Sequence, residues 1–485
     1  MQKKLLSGLF WLLLLNLLIK PFWILGIEVG VQNAVGADAY GLYFGIFNLA
    51  YIFNILLDIG ITNFNTRNIA QHPQLIDKHL PAILSVKLLL LVLYLVVTFT
   101  VGLLMGYTSR HFYLLALLSL NQFLNSLILF LRSNFEGLLL FKWDSVISIL
   151  DRVIMIAICG ALLWLPHHPT FRIEYFVYAQ TAAYLLTAAT AFSVLIHKTG
   201  FRRLRFNRLF TLAILKKSAP FALLVLLMAS YNRIDPLLLQ KLSPQGLGDY
   251  NAGIYASAFR LLDALTMIAY LVSVALLPIY SKLTKPGGSS AELASTTRMV
   301  TSLMLVFSIT AAVTFSQMDT VLMDLLYTEH ITESASVFRI LIFGIIPISM
   351  TYIFGTLLTA GGRLRQLNIL AATTLVINIA VNLVAIPRWG AVGSAWASVV
   401  AQSFIAITQT IIALRIFNIR PSWPYILKIL LFALIIGACN VVPAPEVAWW
   451  LRLLIICIIA IVTAIMLKLI DPNEIKLIFK QQEQQ

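Results

Sequence analysis

Charge is what this sequence has least of. Of 485 residues only 11% are Asp, Glu, Lys or Arg, against about 25% in soluble domains. So few charges cannot cover a water-facing surface. Hydrophobic residues make up 60% and the mean hydropathy is +0.89. Disorder is excluded by the same balance, because disordered chains are charge-rich and apolar-poor. Cysteine is scarce as well. Cys159, Cys439 and Cys457 stand in apolar runs at no metal-ligand spacing, so neither a disulfide framework nor a zinc site is implied. The HExxH, GxSxG and kinase patterns are missing, and Pro286-Gly287-Gly288-Ser289 lacks the phosphate-loop signature. His167-His168 has no third metal ligand nearby. Long hydrophilic stretches are absent too, which leaves no room for a soluble catalytic domain and argues against an enzyme.

What the chain has in excess is apolar runs of helical length, such as Lys87 to Leu104 and Leu451 to Leu469. A spanning helix needs about 20 residues. Alternating ten-residue segments are absent, so an outer-membrane barrel is not expected. The fold class expected is an all-α polytopic membrane protein. About fourteen spans are centred near residues 18, 50, 92, 122, 154, 184, 229, 266, 309, 347, 377, 402, 432 and 459. The N-terminal run lacks a small-residue cleavage site and continues into apolar sequence, so it reads as the first span and not a signal peptide.

The formal charge is +15, from 35 Lys+Arg and 20 Asp+Glu. With the N-terminus in the cytoplasm, alternating loops place twenty-three Lys and Arg inside. Five (Arg110, Arg172, Lys241, Arg388 and Arg452) fall outside, and seven lie within spans. By the positive-inside rule both termini are cytoplasmic, as an even number of spans requires. The basic segment from Lys198 to Lys217 is expected to lie on anionic lipid headgroups. Nucleic-acid binding is not expected.

Two segments match at an offset of 212 residues. One reads Gly36-x4-Gly41-x-Tyr43-x-Gly45-x-Phe47-x-Leu49, the other Gly248-x4-Gly253-x-Tyr255-x-Ser257-x-Phe259-x-Leu261. Each leads into a span running inward from outside. The pattern predicts a parallel repeat of six spans about an axis along the membrane normal. The expected division is an N-lobe at 1–200, a basic linker at 201–217, a C-lobe at 218–418, and two peripheral helices with a tail at 419–485.

Charges inside spans are costly, about 2.5–3.5 kcal/mol for Arg or Lys on insertion scales. Here they are Lys20, Lys87, Arg132, Arg152, Arg233, Arg260 and Arg339, with Asp58, Glu136, Asp151, Asp235 and Asp263. Lys87 and Arg339 stand near span ends, where snorkelling to the interface is open to them. At 100° per residue Asn121, Asn125, Arg132 and Glu136 share one helix face, as do Tyr51, Asn54, Asp58 and Asn65. Such stripes face a bundle interior or a wet cavity. Arg233, Ile234, Asp235 and Pro236 put two charges beside a helix-breaking proline. Arg260 and Asp263 are spaced to pair, whereas adjacent Asp151 and Arg152 cannot share a face, so one of them is expected to point at another helix. Cations outnumber anions, which predicts a cavity that attracts an anionic group unless the charges are spent in inter-helix pairs.

Local patterns then resemble a known family. They are Asp58-x-Gly60 with Arg67-x2-Ala70, and Arg233-Ile234-Asp235 with Gly253-x-Tyr255 and Pro278. The longest is Asn378-x3-Asn382-x3-Ile386-Pro387-x2-Gly390-x2-Gly393-x-Ala395-x-Ala397-Ser398. Together they resemble the Wzx-type flippases of lipid-linked oligosaccharides, in the multidrug/oligosaccharidyl-lipid/polysaccharide (MOP) superfamily. The resemblance implies two helical lobes around a cavity that opens to each side in turn. It implies a polyprenyl-pyrophosphate-linked oligosaccharide as cargo, moved from inner to outer leaflet of a bacterial inner membrane. Lys20, Arg132, Arg152, Arg233 and Arg260 would hold the pyrophosphate. Asp58, Asn121, Asn125, Glu136, Asp235 and Asp263 would be the coupling or polar cavity residues. No cofactor is implied beyond a coupling proton or sodium ion. Membrane lipids, a polysaccharide polymerase and glycosyltransferases are the partners implied. Asp235 leaves open a cation-coupled drug antiporter of the same fold, and a peptidoglycan-precursor flippase is the other alternative.

Overall fold

A computed structural model describes residues 19, 21–72, 74, 76–138, 140–165, 171–199, 208–285, 287–420, 422–441 and 448–470. Among them all regular structure is helical. The chain packs as two compact units, Met1–Ala256 and Ser257–Gln485. The break falls inside a helix. Of the expected basic linker, residues 201–207 lie outside the described residues, and a helix starts at Arg208.

The first unit opens with a π-helical turn, Trp23–Glu28, followed by α1 (Val29–Ile52) and a 3-10 turn, Phe53–Leu57. Then come α2 (Ile61–Gln71), α3 (Ile76–Leu104), α4 (Ser109–Gly137), α5 (Phe141–Trp164), α6 (Ile173–Thr199), α7 (Arg208–Arg233) and α8 (Asp235–Leu242). Its apolar core joins Ile61 and Ile69, Ile83 and Leu90, Phe130 and Phe135, Ile147 and Leu195, from α2 through α6.

Helix α9 (Gly248–Leu283) leads into the second unit. That unit holds α10 (Ser290–Gln317), α11 (Asp319–Leu326), α12 (Ile331–Leu341), α13 (Ile345–Ala360), α14 (Leu364–Ile416), α15 (Trp423–Val441) and α16 (Trp449–Met466). The last two dock on α10 through Phe432, Ile436, Ala460 and Ala464 against Val306 and Ile309. Polar contacts join the seam: Asn440 donates to the Thr314 hydroxyl at 3.5 Å, and Arg452 donates to the Asn440 carbonyl.

Among the described residues eleven helices are long and apolar enough to cross a membrane, or twelve if the bent pair Phe221–Arg233 and Asp235–Leu242 is one span. Two of the eleven contain further breaks. Helix α14 has 53 residues, about 80 Å at ~1.5 Å per residue, far beyond a hydrocarbon layer of about 30 Å. It is two spans. Gly390, at φ 54° and ψ −129°, takes a backbone that a side chain would strain, just after Pro387. Gly36, at φ 79° and ψ 170°, interrupts α1 in the same way. These breaks bring the count toward the expected fourteen. Residues 1–18, most of the first expected span, lie outside the described residues.

The matched glycines of the 212-residue offset meet each other. A Cβ on Gly41 would overlap the Asp249 carbonyl oxygen and the Gly253 nitrogen, and a Cβ on Gly253 would overlap the Ala37 carbonyl oxygen. Residues 37 and 249 are themselves matched, so the contact is reciprocal, as at a two-fold interface. Gln32 locks it, donating to the Gly253 carbonyl at 3.0 Å. Gln240 lies over Gly45 and donates to Asp249 at 2.7 Å. Gly41→Leu therefore costs ~3 kcal/mol, the upper end for overpacking, because backbone and not a side chain must yield. Gly437→Leu, where nothing lies within 4 Å, leaves stability unchanged. Thermal unfolding of the purified variants in one detergent measures both.

Candidate functional site

The second expected span is broken in the membrane. After the 3-10 turn the chain passes through Asp58, Ile59 (φ 42°) and Gly60 (φ 79°) before α2 starts. Backbone carbonyls freed in hydrocarbon must be satisfied by the protein. Lys87 on α3 does this. Its ammonium donates to the Leu57 carbonyl at 3.1 Å, to Asp58 Oδ1 at 3.1 Å and to the Ser126 hydroxyl at 2.8 Å. It also lies 5.7 Å from the centre of the Phe130 ring. An ammonium has three donors, and all three are used. Asp58 in turn receives the Thr62 hydroxyl at 2.5 Å and the Thr62 amide at 3.3 Å, holding the first turn of α2. Lys87 is 1% exposed, so the snorkelling reading is corrected: it is a fully buried staple.

The two polar stripes bond across helices. Asn54 donates to Gln122, Asn65 to Ser133 at 2.8 Å and to Asn134 at 3.0 Å, and Thr66 to Glu136 at 3.2 Å. The partners on α4 of the 3-10 turn and of α2 are thus mostly the neighbours of the expected residues. Asn125 is half-buried. Asn121 is buried, and its side-chain amide has no hydrogen-bond partner among the described residues.

Most of the expected cations are held. Arg132 makes two bonds to Asp144 in the first turn of α5, at 2.7 and 3.2 Å. Arg152 reaches back to its neighbour Asp151 at 2.9 Å. The expectation that these two cannot share a face is corrected, because the long arginine side chain spans the 100° between adjacent positions. Arg339 pairs with Asp319 at 2.5 Å while remaining 63% exposed. Arg260, 6% exposed, donates to the Tyr327 hydroxyl at 2.5 Å. Lys20 lies outside the described residues. A set of uncompensated cations is therefore not what the fold presents: Lys87, Arg132, Arg152 and Arg339 each meet a carboxylate. Asp144, Asp319 and Tyr327 were the missing partners. All three stand at or near helix ends, where a count of charges within spans passes them over.

Of the expected acids, Asp235 is fully buried at the start of α8 and accepts from the Tyr255 hydroxyl at 2.9 Å. Asp263 is half-buried on α9, and its carbonyl accepts from Thr266 at 2.8 Å. Pro236 cannot donate to the carbonyl one turn back, and α7 and α8 meet at 50°.

Beside that bend stands Arg233, its guanidinium 5.3 Å from the centre of the Tyr51 ring. Tyr51 is 40% exposed and ends a ladder on α1. Tyr43 stacks on Phe47 at 5.7 Å, and Phe47 on Tyr51 at 6.1 Å. A period of four puts these rings on one face of the helix. At the buried end Gln180 donates to the Tyr43 hydroxyl at 2.8 Å. Tyr184 lies within electrostatic reach of Asp151, Arg152 and Glu28. The first unit thus carries a polar and aromatic run from Glu28 to Arg233.

The sequence model of the family described as polysaccharide biosynthesis proteins matches residues 5–284. No curated protein matches the chain in sequence. Its backbone is similar to that of the lipid II flippase MurJ in an inward closed conformation. The TM-score is 0.69 at 13% identity, over 94% of this chain and 99% of that one. An inward-facing multidrug resistance MATE family transporter of the MOP superfamily gives 0.61 at 14%, over 81% and 94%. A MOP superfamily transporter from Pyrococcus furiosus, titled for the reverse polarity of its binding pocket, gives 0.53 at 16%, over 85% and 93%. At these identities the likeness is one of fold.

The Arg132 pair generates a test. Arg132→Ala leaves buried Asp144 without its cation and costs about 3–5 kcal/mol, whereas replacing both by leucine costs less, since a buried pair repays little beyond its own desolvation. Unfolding of the single and double variants decides the order.

Proposed function

The chain belongs to the polysaccharide biosynthesis protein family and has the MOP transporter fold, and on that premise we propose that it flips a polyprenyl-pyrophosphate-linked oligosaccharide from the inner to the outer leaflet. The membrane would be a bacterial inner membrane, with both termini cytoplasmic, as the loop charges favour.

The observation that carries the reading is Arg233 over Tyr51. Phosphate recognition uses the forked edge of a guanidinium. Arg233 adjoins the bend between α7 and α8, where a change of angle would carry it. Tyr51, 40% exposed at the end of the ladder, would offer its exposed edge and hydroxyl to a sugar. One arginine for the pyrophosphate and an exposed tyrosine beside it suit a charged lipid headgroup with a glycan attached. Arg260 is a second candidate for the phosphate once movement exposes it. Arg132 and Arg152 would serve only by exchanging a carboxylate for the cargo.

Turnover requires that the cargo bind the two conformations unequally. The pyrophosphate brings negative charge, and each net charge carried across is worth about 2.3 kcal/mol per 100 mV. The carboxylates beside most cations keep the empty carrier closer to neutral, so the loaded step would feel the membrane potential more.

A peptidoglycan lipid precursor is of the same chemical class, and MurJ is titled a lipid II flippase. The family description favours a polysaccharide repeat unit. Deletion of the gene separates the two: accumulation of a polysaccharide lipid intermediate on the inner leaflet supports the proposal, and accumulation of the peptidoglycan precursor replaces it. Altered drug sensitivity with no lipid intermediate would point to an antiporter. In proteoliposomes loaded with a labelled lipid-linked glycan, Arg233→Ala lowers the flipping rate ten- to a hundredfold, the worth of one charge-assisted contact of roughly 1.5–3 kcal/mol. Flipping at the parent rate would refute the assignment of Arg233.

A further inference from the structure

We infer that Leu57, Asp58 and Ser126 form a monovalent-cation site whose permanent occupant is the tethered ammonium of Lys87. The inference does not depend on which cargo the protein carries.

The donor set is that of a cation site. It comprises a backbone carbonyl at a helix break, a carboxylate oxygen and a hydroxyl oxygen, at 3.1, 3.1 and 2.8 Å from the nitrogen. Unwound carbonyls in membrane transporters coordinate small cations in this way. The Phe130 ring, 5.7 Å away, closes the remaining side with a cation–π contact. The ligands come from the 3-10 turn after α1, from Asp58 and from α4, and the charge arrives from α3. Ser126 also donates to the Leu57 carbonyl at 3.2 Å, so the oxygens are organised around one point.

Two properties separate this from an ordinary ion pair. The nitrogen meets three different oxygen types, whereas a pair needs only the carboxylate. The lysine is itself 1% exposed while its carboxylate partner is 22% exposed, so the site is built around the cation. A cation delivered on a side chain has a high effective concentration and loses no freedom from bulk solution. The site is therefore filled at any salt concentration. An exchangeable proton or sodium has no vacancy at Asp58, and coupling, where it occurs, uses other residues. The expectation that Asp58 carries a coupling ion is replaced by a fixed brace between three helices.

Removing the tether opens the site to a free ion of like size. Lys87→Ala protein, purified in detergent at neutral pH, is unfolded thermally in ammonium chloride and in choline chloride at equal ionic strength. Choline is too large to enter. The expected result is a lowered midpoint in choline, with at least half of the loss restored by ammonium in a saturable manner. The parent protein and Lys87→Leu/Asp58→Asn show no difference between the two salts. Equal midpoints for Lys87→Ala in both salts would overturn the inference, as would the same ammonium effect on the parent or on the double variant. Failure to recover folded Lys87→Ala in ammonium, where the double variant folds, would overturn it too, since the site would then not accept a free cation.

Discussion

A backbone carbonyl released inside hydrocarbon has no water to turn to, and this need governs where the chain can bend. The break after Leu57 exists because Lys87 reaches it from α3 with three donors and Asp58 balances the charge. Without the lysine the carbonyl would keep only the Ser126 hydroxyl, and the Asp58 charge would lose its cation. The same need operates at Pro236, where two short helical pieces meet at an angle. A transporter requires broken helices because straight ones cannot change shape. It pays for them in polar side chains aimed at the gaps.

Charge placement follows the same logic. Isolated cations in spans are expensive, and in this fold they are distributed among partners of graded strength. Arg132 is clamped by two parallel bonds to a buried carboxylate, and Arg339 is paired but open to its surroundings. Arg233 is held by an aromatic face. The partners Asp144 and Asp319 stand at helix starts, which composition alone does not reveal.

The spans were legible because their cause is local: a run of about 20 apolar residues needs no knowledge of neighbours. The break at Pro236 was legible, since proline acts on the chain where it stands, but the break at Asp58–Gly60 was not: Tyr51, Asn54, Asp58 and Asn65 were expected on one face of a continuous helix, and the chain leaves that helix at Ile59 and Gly60. The partners of the charges were not. Asp144 lies twelve residues from Arg132 across a helical turn, and Asp58 lies twenty-nine from Lys87. Such pairing depends on which helix faces which. Whether Lys87 snorkels or is buried was likewise decided by a break in another helix. Asn54 met Gln122, one position from the expected Asn121 on α4, because helix rotation is set by packing, not by the position of the polar residues alone.

The seam at Gly41 and Gly253 is self-complementary, since each glycine receives the backbone four residues before the other. A surface of that kind needs only one author. A half-length ancestor bearing a single Gly-x4-Gly segment would already have carried the mate for another copy of itself, and joining two genes end to end would have kept the seam while releasing the rest to drift. Gly45 and Ser257, opposite each other in the aligned segments, differ. Duplication would then be the origin of this close approach, and mutual fit between two once-identical glycines the reason that neither can change alone.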